Sequence, residues 1–363
     1  MSQLQHYLAI VAGGVCALAF ALLVAWGFSG QFAVALVLAL GIVSLGRFWL
    51  GWSLWMDGAI ALVGAILLTL ALPGIVPGPT WFWAALIAFW LFGWLFVERL
   101  SKAISDKRVD QRIGIIIPIV FGAALLVIWE AITVGAAVPT VIMPPPSMIW
   151  QKLISSVPTL IADFQQTFLK AVLIGYVLGC GSGFLVAILI DRSPFFKRGL
   201  LPLGNFVSAL PIIGVAPIMV MWFGFDWPSK AAVVVVMTFF PMLVNTIAGL
   251  SASSNMERDL MRTYASGYWQ TLFKLRLPAA APFIFNALKI NSTLALIGAI
   301  VAEFFGTPIV GMGFRISTEV GRMNVDMVWA EIAVAAVAGS VFYGVITLIE
   351  RAVTFWHPSV RGG

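Results

Sequence analysis

The two histidines of this sequence, His6 and His357, stand near its ends, and its two cysteines, Cys16 and Cys180, each sit inside an apolar run. That leaves little for catalysis to use. An enzyme working among apolar segments needs a histidine, paired carboxylates or an activated serine. The chain has no Gly-x-Ser-x-Gly, no His-Glu-x-x-His and no pair of acids on one apolar stretch. Neither a disulfide framework nor a metal site is expected from two isolated cysteines. No Gly-x-x-x-x-Gly-Lys-Ser/Thr loop is present either, so work driven by ATP would need its nucleotide site on another polypeptide. The expected chemistry is contact and passage: no catalytic residue, no metal ligand, no cofactor on this chain.

The polar residues inside apolar stretches are the ones that could carry that function, because polar groups in lipid are costly and face a cavity or a neighbouring helix. They are Asn205, Ser208, Asn245, Asn286, Lys289, Asn291, Ser292, Thr293 and Glu303. Asn205, Ser208, Asn291 and Ser292 are expected either to line a transient pathway or to hydrogen-bond helix to helix. Glu303 is expected in a structural or gating role, and Glu130, nearer an outer interface, as a snorkelling or helix-packing carboxylate. Further on, Arg315, Glu319, Arg322 and Asp326 recur at three- and four-residue spacing, the pattern of an amphipathic surface helix. Exposed pairs of that kind contribute only about 0.2–0.5 kcal/mol each. The ladder therefore reads as a docking surface or as a plain solvated face.

These residues must be positioned by membrane helices. The chain has 363 residues, 61% hydrophobic and 10% charged, against about 25% charged in an average soluble protein. The polar skin of a soluble fold is missing, which excludes a cytosolic enzyme, a nucleic-acid binder and a disordered scaffold. Runs near the length of about 20 residues needed to cross a bilayer give ten spans. Four come first: Leu8–Phe28, Phe32–Leu45, Gly58–Ile75 and Trp81–Val97. Six follow the basic segment Glu98–Arg112: Ile113–Val134, Thr167–Ile190, Leu200–Phe225, Ala231–Leu250, Phe283–Phe305 and Val328–Thr354. The expected fold class is all-α and polytopic. Expected modules are an amino-terminal four-helix unit (1–97) of unknown role, a basic cytoplasmic linker (98–112) and a six-helix domain (113–357), unless the basic segment is a topology anchor without domain meaning. Gly175, Gly179 and Gly183 recur every four residues, which lets helix backbones approach closely, either within one subunit or across a dimer.

Lys and Arg in short loops set the orientation. Arg99, Lys102, Lys107, Arg108 and Arg112 share one loop; Arg192, Lys197 and Arg198 another; Arg258, Arg262, Lys274 and Arg276 a third. Placing these inside makes both termini cytoplasmic in a cell inner (plasma) membrane. Because Met1–Phe28 lacks a basic start, it reads as a retained helix and not as a signal peptide.

Ser251–Pro282 is much longer than the roughly 4–6 residues that usually join elements. Its pattern predicts one short helix over Asp259–Tyr264 and another over Tyr268–Lys274, broken near Ser266-Gly267. Pro278, which has no backbone N–H to donate, is expected to stop the second before the next span. The stretch resembles the coupling loop of binding-protein-dependent ABC importer permeases, in particular the nitrate/taurine/sulfonate branch. That family's pattern is Glu-Ala-Ala, three residues, Gly, nine residues, Ile, one residue, Leu-Pro. Here the same spacing carries Asp259-Leu260-Met261, Ala265, Leu275 and Leu277-Pro278, with Trp269 and Gln270 as in that branch. Pro144-Pro145-Pro146-Ser147, Asp191-Arg192-Ser193, Met221-Trp222-Phe223-Gly224, Ala302-Glu303 and Gly311-Met312-Gly313 follow the family order as well. The likeness covers about residues 113–357.

The resemblance implies a type I importer core of six helices that forms the permease subunit of an ATP-driven importer. Implied partners are an ABC ATPase dimer carrying ATP and Mg, a second permease copy (homodimer or paralogue), and a periplasmic or lipid-anchored solute-binding protein. The cargo would be a small polar organic solute: a sulfonate, a nitrate-like anion or a pyrimidine-like compound. Asp259, Leu260, Met261, Arg262, Ala265, Trp269, Leu277 and Pro278 would couple to the ATPase, and Arg315, Glu319 and Arg322 would dock the binding protein. A secondary transporter is the alternative reading; it would leave the loop without a purpose, and the six later spans show no evident repeat pair.

Overall fold

The computed structural model describes residues 2–27, 31–47, 52–193, 195–196, 199, 211–306 and 309–356. Among these, all regular structure is helical, and eight helices are long and apolar enough to cross a membrane; Phe32–Gly46 and Ile212–Phe223 are shorter apolar helices. The helices group into two compact units, Met1–Trp150 and Gln151–Gly363.

The first unit is a bundle of α1 (Gln3–Trp26), α2 (Phe32–Val43), α3 (Leu54–Ala71), α4 (Thr80–Ser105) and α5 (Ile116–Gly135). Helix α1 opens with a capping box in which the Ser2 hydroxyl accepts from the Gln5 N–H and the Gln5 side chain accepts from the Ser2 N–H. Its core is built on the aromatic face of α4, where Trp81, Phe82, Phe89 and Phe92 are buried. The basic segment from Glu98 is not a free linker throughout. Helix α4 carries on to Ser105, and the chain then passes through a turn and a 3-10 segment, Gln111–Ile115. Asp57, fully buried, is ion-paired with Arg47 at 3.4 Å and with Arg99, and it accepts from the Trp52 indole at 2.9 Å. Glu130 caps the short helix α6 (Pro146–Ser155) by accepting from the Ser147 N–H at 2.9 Å and its hydroxyl at 2.6 Å.

The second unit is built around α8 (Leu173–Arg192), α10 (Trp227–Leu250) and α13 (Leu277–Glu303). A short α7 (Val157–Phe164) and a π-helical stretch (Gln165–Val172) lead into α8. Helix α9 is Ile212–Phe223. The glycine stripe on α8 packs within the chain. A Cβ at Gly179 would lie 2.1 Å from the Thr238 hydroxyl, and one at Gly183 would lie 2.5 Å from the Phe239 carbonyl of α10. Only the bare backbone fits. Around this pair, Tyr176 donates to the Leu288 carbonyl at 2.9 Å, and Asn245 to the Pro241 carbonyl at 2.8 Å.

Candidate functional site

Helix α10 ends at Leu250, and the loop that follows is held by its carbonyl end. Arg258 donates to the Ser251 carbonyl at 3.0 Å and to the Ser253 hydroxyl at 2.9 Å. Ser254 then starts α11 (Asn255–Thr263) with a second capping box: its hydroxyl accepts from the Glu257 N–H, and the Glu257 carboxylate accepts from the Ser254 N–H at 2.8 Å. No residue of α11 is buried. Met256, Leu260 and Tyr264, spaced four apart and so on one face, are 83%, 56% and 76% exposed.

The chain reverses at Ala265, whose φ of +52° lies in the left-handed region where the resembled pattern has Gly. Gly267 caps the next helix, α12 (Tyr268–Thr271). Asp259 and Arg262, both exposed, pair with each other at 3.2 Å, and Met261 is half-buried. Trp269 stacks on Phe273 and lies under the Arg192 guanidinium, 5.8 Å from its ring centre.

Pro278 does not stop this helix, contrary to the sequence expectation. The chain stays helical from Tyr268 to Glu303. Its π segment, Leu272–Arg276, lets the Leu277 N–H reach back five residues to the Leu272 carbonyl. The widened turn takes the place of the bond that Pro278 cannot donate, and Pro278 itself falls in the first turn of α13. Leu277 is half-buried and packs with Leu250, Leu272 and Ala280.

The tie fixing this loop was not visible as a pair in the sequence. Arg276 grips Asp191 bidentately at 2.6 and 2.7 Å and donates to the Leu250 carbonyl at 3.0 Å; Tyr268 adds a 3.1 Å bond to Asp191. One carboxylate at the end of α8 thereby joins the ends of α8, α10 and α13. The separation of 85 positions between Asp191 and Arg276 hides it from any local reading.

The opposite end of the unit holds a second, fully internal network. Thr167 donates to Glu303 at 2.8 Å and accepts from the Met312 N–H at 2.8 Å. The other Glu303 oxygen accepts from the Gly313 N–H at 2.7 Å. Asp163, also buried, accepts from the Gly311 N–H at 2.6 Å and from Arg315 at 2.8 Å. The hydrogen bond that Arg315 donates to Asp163 holds its guanidinium above its ordinary pKa. Lys230 is buried and donates to the carbonyls of Phe225 and Gly306. The Gly311-Met312-Gly313 motif has a steric reason. Gly311 has φ +141°, and a Cβ at Gly313 would lie 2.1 Å from the Ile300 carbonyl. Sequence reasoning missed Asp163 and Thr167, whose partners lie more than a hundred residues away, and Glu331, which is fully buried and interacts with Asp163.

Of the expected pathway residues, Asn291 is fully buried and donates to the Thr238 carbonyl at 2.8 Å and to Cys180 Sγ at 3.2 Å. Ser292, also buried, donates back to the Lys289 carbonyl at 2.7 Å. With Glu303, these residues work between and within helices in this structure. Asn205 and Ser208 lie outside the described residues.

The expected charge ladder is not on one helix. Helix α14 (Met312–Gly321) ends before Arg322, and Met323 takes a left-handed φ of +60°. Asp326 belongs to the next helix, α15 (Val325–Val353), where it pairs with Lys152 at 3.3 Å. Arg315 turns inward to Asp163, Glu319 is buried with Asn324 and Arg322 on its carboxylate, and Arg322 alone of the three is exposed.

Residues 172–355 match the family model described as "Binding-protein-dependent transport system inner membrane component". The chain is similar to a probable ABC transporter permease protein of Haemophilus influenzae, 29% identical over 67% of this chain and 99% of the relative. It is 29% identical to the putative aliphatic sulfonates transport permease protein SsuC of Bacillus subtilis, over 73% of this chain and 95% of the relative. It is 30% identical to the formylaminopyrimidine transport permease protein ThiX of Halalkalibacterium halodurans, over 66% of this chain and 95% of the relative. The relatives are thus almost fully covered, while the family match leaves out residues 1–171 of this chain.

Proposed function

Because the chain belongs to the binding-protein-dependent transport system inner membrane components, and is a multi-span permease subunit of an ABC importer and not an enzyme, we propose that α11 is the element an ATPase subunit grips. One observation carries this reading: a helix with a satisfied capping box and no buried residue presents Met256, Leu260 and Tyr264 as an apolar stripe to solvent. Such a stripe gains by burial in a groove on a partner. Asp259 and Arg262 flank it as polar contacts.

A push on α11 would pass through Arg258 to the end of α10 and through Tyr268 and Arg276 to Asp191 on α8. Ala265, Trp269, Leu277 and Pro278 shape that connection. The partner supplies ATP and Mg, and this chain supplies the lever. The loop faces the cytoplasm with both termini, as the positive charges of the loops favour.

A second permease copy completes the pathway. A solute-binding protein, periplasmic or lipid-anchored, docks at the opposite end, where Arg322 is the exposed charge; Arg315 and Glu319 support that surface from within. The cargo is a small polar organic solute of the sulfonate or pyrimidine-like kind, a class supported by the names of the relatives. Residues 113–357 form the transport domain, joined through 98–112 to an amino-terminal module, 1–97.

Purification through a tag on this chain in mild detergent tests the reading. Stoichiometric recovery of an ATPase subunit is expected, and it should be lost when Asp259–Trp269 is scrambled. Recovery undiminished by the scramble would overturn the assignment of α11.

A further inference from the structure

The first unit, outside the family match, carries an apolar groove of about 810 Å³ between α3, α4 and α5. Its walls include Leu62, Ala65, Trp94, Ile119 and Ala124, and Leu62 and Ile119 are more than half exposed. On α3 the groove runs from Trp55 to Thr69, fourteen helical steps or about 21 Å at the helical rise. That exceeds half the thickness of a hydrocarbon core about 30 Å deep. Ring contacts between Trp55 and Phe96 at 5.8 Å, and between Trp90 and Phe121 at 6.3 Å, fix the register of the walls.

The two ends of the groove differ in charge. Thr69 is the polar residue at one. At the other, the lining stops at Glu98 on α4 and Ile116 on α5. One helical turn beyond these stand Lys102 and Arg112, both exposed and without an ion pair among the described residues. Lys107 and Arg108 lie in the turn between them, Arg108 paired with Asp106 at 3.8 Å. Behind the same end, the single carboxylate of Asp57 is shared by Arg47 and Arg99, which leaves a further positive charge. Glu98 is the one acid lining the groove, and from Glu98 to Arg112 five cations stand against three acids.

We propose that this groove is a binding site for an anionic phospholipid: one acyl chain lies along α3, α4 and α5, and the phosphate is met by Lys102 and Arg112. Apolar length and positive charge at one mouth are complementary to such a lipid and to no purely apolar occupant. Basic residues beside a membrane span attract anionic headgroups, each changing affinity about fivefold. The groove would then join α3 and α4 of the amino-terminal module to α5 of the transport domain through a bound lipid.

Native mass spectrometry of the full chain in detergent, with added phosphatidylglycerol or phosphatidylcholine, provides the test. Phosphatidylglycerol should be retained in preference to phosphatidylcholine. The K102Q/R112Q variant should lower phosphatidylglycerol retention about fivefold for each charge removed and leave phosphatidylcholine unchanged. Filling the groove with Ala65→Phe and Ala124→Phe should reduce both lipids about tenfold or more, as buried methylenes are displaced. Equal retention of the two lipids, or indifference to groove filling, overturns the proposal. So does an Ala124→Cys variant that crosslinks two copies of the chain in native membranes, since the occupant would then be protein. None of these outcomes bears on whether the ATPase grips α11.

Discussion

The two ends of the second unit solve opposite problems with similar residues. At the loop end, one Arg-carboxylate pair gathers three helix termini, and beyond it Met256, Leu260 and Tyr264 are left uncovered. At the opposite end, Asp163, Thr167 and Glu303 turn inward and accept the N–H groups of Gly311, Met312 and Gly313, so the chain reversal before α14 is closed on itself. The first arrangement leaves surface for a partner. The second spends its polar groups on one another and on its own backbone. Asp191 accepts from side chains alone, Arg276 and Tyr268, whereas Asp163 and Glu303 each divide their oxygens between a side chain and a backbone N–H of the turn.

The contrast can be broken most sharply at Asp191. Asp191→Ala leaves Arg276 without its carboxylate in a mostly buried place, and removing one partner of such a pair costs about 3–5 kcal/mol. Thermal unfolding should show that loss, and the D191A/R276M double variant should recover part of it. Replacing Met256, Leu260 and Tyr264 together by serine should leave unfolding within about 0.5 kcal/mol of the parent, because none is buried. ATPase recovery should fall by about thirtyfold or more, the scale of an interface hot spot.

Gly313→Ala sharpens the other side. Its Cβ would meet a backbone oxygen, so about 1–3 kcal/mol of stability is lost while ATPase recovery holds. Ala265→Gly should stabilise by about 1 kcal/mol through relief of the left-handed backbone, detectable as a raised melting temperature. The smallest effect is expected at Arg322→Glu. Stability should move by less than about 0.5 kcal/mol, with a severalfold loss of ATPase stimulation by the binding protein.

Hydropathy made the spans legible, because a bilayer demands long apolar runs and Gln3–Trp26 or Trp227–Leu250 can be little else. The break at Ser266-Gly267 was legible from turn chemistry, and the exposed loop from its polar length. The ties were not. Asp191 meets Arg276, and Asp163 meets Gly311, across distances in sequence that carry no local signal. Periodicity misled at Arg315, Glu319, Arg322 and Asp326, because one left-handed residue, Met323, cuts a regular spacing into two helices. Proline misled at Pro278, because a π turn supplies a way around a missing donor that a count of residues does not reveal.

The bare backbone of α8 against α10 has a consequence for what the seam can tolerate. With Gly179 seated against Thr238 and Gly183 against Phe239, an added methyl group at either glycine meets main-chain atoms of α10, at Val235 or Phe239. No side chain can swing aside to make that room, so even the smallest substituent would have to displace the α10 backbone itself.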